Sequence, residues 1–305
     1  MGRQLTEVER IILLQKWIAA PTQAEADRLE RAQRMVNGAV RAHPAFAGLD
    51  LTVKGKGSYA NNTNVRFDAD VDVKVQLNRP HYRGFGMLGF WPWAIDNAEA
   101  SQGPWTPARF REELGLALKA CFNDVDANHN VAFYVPPVPG SRPSADVVPC
   151  FAFRQYRDFG GSSFDEGSVV FTRDGGRVIN WPEQQLANGI AKNNRTKRRY
   201  KFAVRALKQV ENAVAADGLI TALPSYFSEC LIYNVPDSVL LADSLDTALH
   251  GALAHLRRDL NWWSGGWRDQ LEPNEMKKVF GEGQKWTIQD GRQLIEAAFY
   301  YLNYG

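Results

Sequence analysis

The sequence predicts an α/β fold of the α+β kind, a mixed sheet in the first 180 residues followed by a helical lobe. Three observations predict it. Val65 to Leu77 alternates apolar and polar residues with period two; strand-like and helix-like stretches interleave as far as Ile179; and beyond Pro182 nearly every segment carries helical spacing. At 305 residues, 45% hydrophobic and 23% charged, the chain has a soluble globular composition and the length for two lobes.

The elements follow in order. Thr6-Glu7-Val8-Glu9 is a helical start signal before Ile11, Ile12, Leu14, Trp17 and Ile18. After Pro21-Thr22, the residues Ala24, Ala26, Leu29, Ala32, Met35 and Val36 give a second, longer helix to about Ala42. Leu51 to Lys54 reads as a short strand, Gly55 and Gly57 as a turn, and Val65 to Leu77 as the next strand. His81 to Trp105, rich in Gly, Pro and aromatics, reads as a large ordered loop. Thr106-Pro107 starts a helix to about Asn123, with Thr as N-cap and Pro at its first position. Val131 to Val135 and Ala145 to Phe153 are strands, and Arg173-Asp174-Gly175-Gly176 turns a hairpin. The expected helices beyond Pro182 are Glu183–Lys192, Lys197–Asp217, Ser225–Tyr233, Ser238–Arg258, Pro273–Phe280 and Thr287–Tyr301. The expected domains are therefore 1–181, N-terminal helices and α/β core, and 182–305, a helical lobe, with the long N-terminal helix bracing both.

Composition excludes several classes. Lys and Arg exceed Asp and Glu by only 36 to 34, so net charge argues neither for nor against nucleic acid. Cys121, Cys150 and Cys230 are far apart with no CxxC pair, which excludes a disulfide framework and a sequence-local zinc site. No leader pattern opens the chain and no apolar run reaches the roughly 18 residues of a membrane span, so the expected location is cytoplasmic.

In the strand before Leu77, Asp68, Asp70, Asp72, Lys74 and Gln76 fall on one face, and Val71, Val73 and Val75 on the other. A half-buried strand with a solvated face is one reading. Like charges on one face repel, however, unless cations lie between them. The turn Gly57-Ser58 ahead of the strand also lets backbone N–H groups approach an anion. Carboxylates two apart on a strand can hold two Mg²⁺ ions about 3.5–4 Å apart, the arrangement used for in-line phosphoryl displacement.

Gly57-Ser58 followed by Asp70-Val71-Asp72-Val73 resembles the polymerase-β-type nucleotidyltransferase signature, hG[GS] then [DE]h[DE]h. The fuller wording, Gly-Ser-Tyr-Ala-Asn-Asn-Thr ahead of Asp-Val-Asp-Val, narrows the resemblance to the CD-NTases. These bacterial cyclic-oligonucleotide synthases are relatives of cyclic GMP-AMP synthase and the oligoadenylate synthases. The resemblance spans residues 50 to 240 and implies a two-lobed polymerase-β-like core. Asp70 and Asp72 become metal ligands, Asp146 in Ala145-Asp146-Val147-Val148-Pro149 the third, and Asp68 only a flanking residue. Two Mg²⁺ ions, with Mn²⁺ as a substitute, are the implied cofactors. Gly57 and Ser58 meet the nucleotide phosphates.

The helix Lys197 to Asp217 has an apolar stripe, Tyr200, Val204, Leu207 and Val214, and a basic face, Lys201, Arg205 and Lys208. Such faces are commonly just solvated; the resemblance assigns Lys201 to the triphosphate, with Arg205 and Lys208 as weaker candidates. In Leu223-Pro224-Ser225-Tyr226, Ser225 opens a helix where it can meet an anion. By resemblance Ser225 binds the triphosphate and Tyr226 stacks on a base, the alternative for Tyr226 being plain helix packing. By resemblance Asn180, before Trp181-Pro182, stands where the pyrimidine-accepting clade E carries asparagine, and an amide offers both donor and acceptor to a uracil edge. Its alternative is a turn cap.

The expected activity is joining of NTPs, ATP and UTP first, GTP and CTP as alternatives, into a cyclic dinucleotide, cyclic UMP-AMP or cyclic di-UMP. By resemblance this is an anti-phage (CBASS) signal to a separate effector. Tyr304-Gly305 adds conjugation by a ubiquitin-activation-like enzyme as an implied partner. Two rival readings share these residues: nucleotidyl transfer to RNA or a small molecule, and a catalytically silent nucleotide-binding partner protein.

Overall fold

The computed structural model describes residues 4–18, 22–65, 71–85, 94–96, 103–157 and 161–305. Asp68 and Asp70 lie outside them. In chain order the elements are α1 (Glu7–Trp17), α2 (Gln23–Ala42), β1 (Leu51–Gly55), α3 (Gly57–Asn61), β2 (Val71–Phe85), β3 (Ala94–Asp96), α4 (Pro107–Cys121), β4 (Phe133–Val135), β5 (Ala145–Tyr156), β6 (Phe164–Phe171), β7 (Arg177–Asn180), α5 (Pro182–Arg195), α6 (Arg199–Ala216), α7 (Tyr226–Tyr233), α8 (Asp237–Leu240), α9 (Leu245–Asp259) and α10 (Ile288–Leu302). They pack as two compact units. One comprises Met1–Pro21, Ala60–Asp68 and Glu183–Gly305; the other comprises Thr22–Tyr59 and Ala69–Pro182.

The second unit is built on a mixed sheet in the order β1-β2-β5-β6-β7, with β3 paired to β2 and β4 to β5. β2 and β5 run parallel, and every other pair is antiparallel. Alternation along β2 fixes its register. Val71, Val73, Val75 and Leu77 are fully buried and lie beside Ala145, Val147, Pro149 and Phe151 of β5. Each such aliphatic side chain contributes about 1.5–3 kcal/mol by leaving water. A slip of one residue would expose all four and bury the polar set, so the register is strongly specified. Two helices cover the sheet. α2, opened by a Thr22–Glu25 capping box, buries Leu29, Ala32, Val36 and Val40; α4, capped by Thr106 with Pro107 at its first position, buries Phe110, Leu114 and Leu118.

β2 outruns its sequence reading. It continues through His81 to Phe85, a stretch read as loop, and its pairing with β5 shifts between Leu77 and Tyr82. Pro80 lies inside that shift; it has no N–H to give the ladder, so pairing breaks there and resumes beyond.

The first unit is helical. Its core is the buried stripe Tyr200, Val204, Leu207, Val210 and Val214 of α6, packed with Phe227 and Leu231 of α7, Leu249, Leu253 and Leu256 of α9, and Leu294, Ala298 and Leu302 of α10. Leu5 and Leu14 from the N-terminal segment join it. The single helix read from Ser238 to Arg258 is two, because Ser244 forms a capping box with Thr247 and starts α9 afresh. The helix read at Pro273–Phe280 is absent: the Asn274 side chain accepts the N–H groups of Met276 and Lys277, Glu275 has φ +58°, and Leu271 bridges Lys278. Local side-chain acceptance of backbone N–H groups competes with the helical ladder, and here it wins. Among the described residues no helix is long and apolar enough to cross a membrane.

Candidate active site

The parallel pairing of β2 with β5 sets Asp72 directly opposite Asp146, so the two carboxylates share one face of the sheet on neighbouring strands. Both side chains are half-buried. The opposite faces of both strands are apolar and sealed, which leaves the carboxylates no other direction to point. The turn between β1 and β2 runs close beside them. The Lys56 N–H donates to the Asp72 carbonyl at 2.9 Å, and Gly57, with φ +66°, opens α3. A Cβ placed on Gly57 would stand 2.5 Å from Asp72 Oδ2. Only glycine satisfies both the left-handed backbone and this approach. Ser58 follows, half-buried, at the head of α3.

These residues fit a divalent cation: hard carboxylate oxygens on facing strands, and beside them a space that any Cβ would close. The described residues contain no group of three His, Cys, Asp or Glu positioned for a metal. The described part of the expected triad is two carboxylates, Asp70 lying outside it. Asn180 ends β7, half-buried, with Ser168 as its register partner.

The helical unit treats its basic face unevenly. Lys201 is half-buried, and burial lowers its pKa from the ordinary lysine value. Arg205 and Lys208, read as weaker phosphate candidates, are 3% and 2% exposed. Arg205 donates to the carbonyls of Ile18 and Asn62, and burial brings its pKa down to about 10; Lys208 Nζ donates to Thr63 Oγ1 at 3.4 Å. They face inward, away from the role read for them.

Ser225 occupies the N-cap of α7 in αR geometry and makes no side-chain capping bond. Its neighbour Tyr226 is half-buried and set edge-on to Trp286 with ring centroids 6.2 Å apart. The Tyr226 hydroxyl donates to Glu272 Oε2 at 3.1 Å, and burial raises its pKa well above the phenol value. Glu272, 5% exposed, also accepts from Gln284 Nε2 at 2.7 Å. No sequence signal marked Glu272: it is 46 residues from Tyr226, just ahead of the segment read as a helix from Pro273.

Comparison with known proteins accords with this geometry. Residues 187–303 match the cGAS/DncV-like nucleotidyltransferase C-terminal helical domain family. Over 290 residues the chain is 33% identical to a cyclic dipyrimidine nucleotide synthase, CdnE, of Legionella pneumophila, covering 94% of this chain and 96% of that one. This chain belongs to the CD-NTases. Like its relatives it is a nucleotidyltransferase, closely related to the clade E (CdnE) synthases. It is 29% identical to a cyclic dipurine nucleotide synthase of Elizabethkingia meningoseptica, covering 94% of this chain and 96% of the relative. It is 32% identical to a cyclic UMP-AMP synthase of Rhodothermus marinus, covering 79% and 80%. The structure of the E. meningoseptica CdnE synthase with GTP and Apcpp superposes with a TM-score of 0.77 at 26% identity, covering 99% of each chain. The mixed α/β core and C-terminal helical region are the two-lobed CD-NTase architecture, as the sequence predicted.

Proposed function

We propose that this CD-NTase joins nucleoside triphosphates into a cyclic dinucleotide with at least one pyrimidine, cyclic UMP-AMP or cyclic di-UMP, which signals viral infection to a separate CBASS-type effector. The observation that carries the proposal is the in-register pair Asp72 and Asp146 beside the Gly57 turn. Identity across nearly the whole chain to a synthase named for dipyrimidine products supports the choice of base.

The sheet unit supplies Asp70, Asp72 and Asp146 to hold two Mg²⁺ ions. When bound, the metals neutralise triphosphate charge and make the acceptor hydroxyl easier to deprotonate. Ser58 and the backbone of its turn bind phosphate oxygens, which holds the α-phosphorus in line for attack. Asp146 serves the acceptor side, where a ribose hydroxyl loses its proton to solvent. The hydroxyl oxygen bonds to the α-phosphorus as the bond to the β-phosphate bridge breaks, and pyrophosphate leaves. The helical unit supplies Lys201 and Ser225 for the triphosphate and Tyr226 as the face on which a base stacks. Asn180 offers a uracil edge one donor and one acceptor. A second transfer within the linear intermediate closes the ring.

Incubation with all four NTPs and Mg²⁺ or Mn²⁺, then phosphatase and mass spectrometry, tests the proposal. A phosphatase-resistant cyclic dinucleotide containing uridine is expected from the wild type and none from Asp72→Asn. Only linear or RNA-linked product would refute ring closure. An unchanged base preference in Asn180→Ser would remove Asn180 as selector.

A further inference from the structure

α7 carries an anomaly for a core helix. Phe227, Cys230, Leu231 and Ile232 are completely buried, and Glu229 among them is 1% exposed. A carboxyl group in such surroundings is costly unless its oxygens are hydrogen-bonded. They are: Oε1 accepts from Asn61 Nδ2 at 3.1 Å and Gln185 Nε2 at 3.0 Å, and Oε2 accepts from Thr63 Oγ1 at 2.9 Å. Two of these three donors belong to one short segment. That segment is also held from α6, where Arg205 Nη1 donates to the Asn62 carbonyl at 2.8 Å and Lys208 Nζ reaches Thr63 Oγ1. Asn62, between the two donors, has φ +51°, the left-handed conformation that asparagine adopts more readily than most residues.

We infer that Glu229, assisted by Arg205 and Lys208, is a positioning residue that clamps Asn61–Thr63 and so fixes the end of α3, the helix that carries Ser58; the inference rests on the phosphate role proposed for Ser58. The reach is short. Asn61 ends the same five-residue helix in which Ser58 is second. An isolated helix shorter than about 12 residues is marginal in water, so the orientation of α3 depends on what holds its ends. Buried apolar side chains would fill the space with less desolvation, but they would not fix one rotation of the segment. Hydrogen bonds to both oxygens of one carboxylate do. The basic residues Arg205 and Lys208 thereby have a use inside the fold, gripping the polypeptide between the phosphate turn and the aspartate strand.

The test uses Glu229→Gln, which keeps the side-chain shape but sets an NH₂ or a single oxygen against donors now served by two, together with Thr63→Val, Thr63→Ser and the double variant Glu229→Gln/Thr63→Val. In wild type and each variant, kcat and KM for nucleotide are measured beside Tm and hydrogen exchange of the backbone amides in residues 57–65. Glu229→Gln and Thr63→Val should each lower kcat on the order of 100-fold, the cost of a 1 Å misplacement, with KM little changed and the protein folded at assay temperature. The double variant should be no worse than the weaker single, Thr63→Ser should restore activity, and exchange protection of 57–65 should fall in Glu229→Gln. Wild-type kcat in Glu229→Gln, additive losses in the double, or losses that follow the unfolded fraction would each overturn the inference. An inactive wild type would refute the proposed function instead, and the exchange measurement would still decide whether the clamp exists.

Discussion

Replacing Gly57 by alanine separates the geometry of the aspartate face from the stability of the fold. Two penalties are readable. An alanine at φ +66° costs about 1–2 kcal/mol as a left-handed residue. Its Cβ would also stand 2.5 Å from Asp72 Oδ2, where ordinary contact begins near 3.4 Å, so the carboxylate must move by about 0.9 Å. The carboxylate can rotate away, which keeps the steric cost to folding small. The reaction cannot tolerate the movement, because a shift of this size costs on the order of 100-fold in rate. Gly48 is the control: its φ is +76° but nothing lies within 4 Å of its Cβ position, so Gly48→Ala carries the backbone penalty without the contact. Both variants should lose a few degrees in Tm, at roughly 2–4 °C per kcal/mol for a unit of this size. Product formation at 25 °C should fall on the order of 100-fold in Gly57→Ala and stay near wild type in Gly48→Ala. Equal activities in the two variants would refute the claim that Gly57 is kept for its approach to Asp72.

Three further predictions concern charge. Asp72 and Asp146 repel across adjacent strands, so Asp72→Asn should melt at or above the wild-type temperature in EDTA. Added Mg²⁺ should raise the wild-type Tm, by the equivalent of about 2.7 kcal/mol at 100 times Kd, and leave Asp72→Asn unmoved. Burial lowers the Lys201 pKa, so below that folded value the fold disfavours its charge, and stability is regained as pH rises from the folded pKa to the unfolded one. Lys201→Met should therefore have a higher Tm at neutral pH, a gap that closes in alkali, while its KM for NTP rises about 10- to 100-fold. For Asp246, burial disfavours the charge, but hydrogen bonds from Arg10 and Tyr304 outweigh it and hold the pKa below the usual carboxylate range. That stabilisation is present above the unfolded pKa and lost as pH falls through the folded one. Asp246→Asn should lose about 1.5–3 kcal/mol in denaturant melts at pH 7, and the difference from wild type should vanish in acid.

Much of this molecule is local, and that part is legible in the order of residues alone. The period-two run around Val71, Val73 and Val75 has one stable disposition, apolar side inward, which puts Asp72 on the open face. Thr6 and Thr106 cap helices where their spacing to the following residues said they would. The family signature, Gly57-Ser58 ahead of Asp70-Val71-Asp72-Val73, is likewise contiguous in the chain.

Tertiary structure decided whatever depends on a partner distant in the chain. The parallel pairing of β2 with β5 brings Asp146 opposite Asp72 across 74 residues, and no periodicity within either strand encodes that register. The basic stripe of α6 reads as one face, yet Lys201 stays half-exposed while Arg205 and Lys208 turn toward Asn62 and Thr63. At Pro273–Phe280 the turns and the Leu271–Lys278 bridge took the place of the helix that composition suggested. Local pattern fixes which side of an element is apolar, because burial of a few side chains suffices to choose it. Which polar group then meets which depends on how the elements pack, and that energy is shared among residues far apart in sequence.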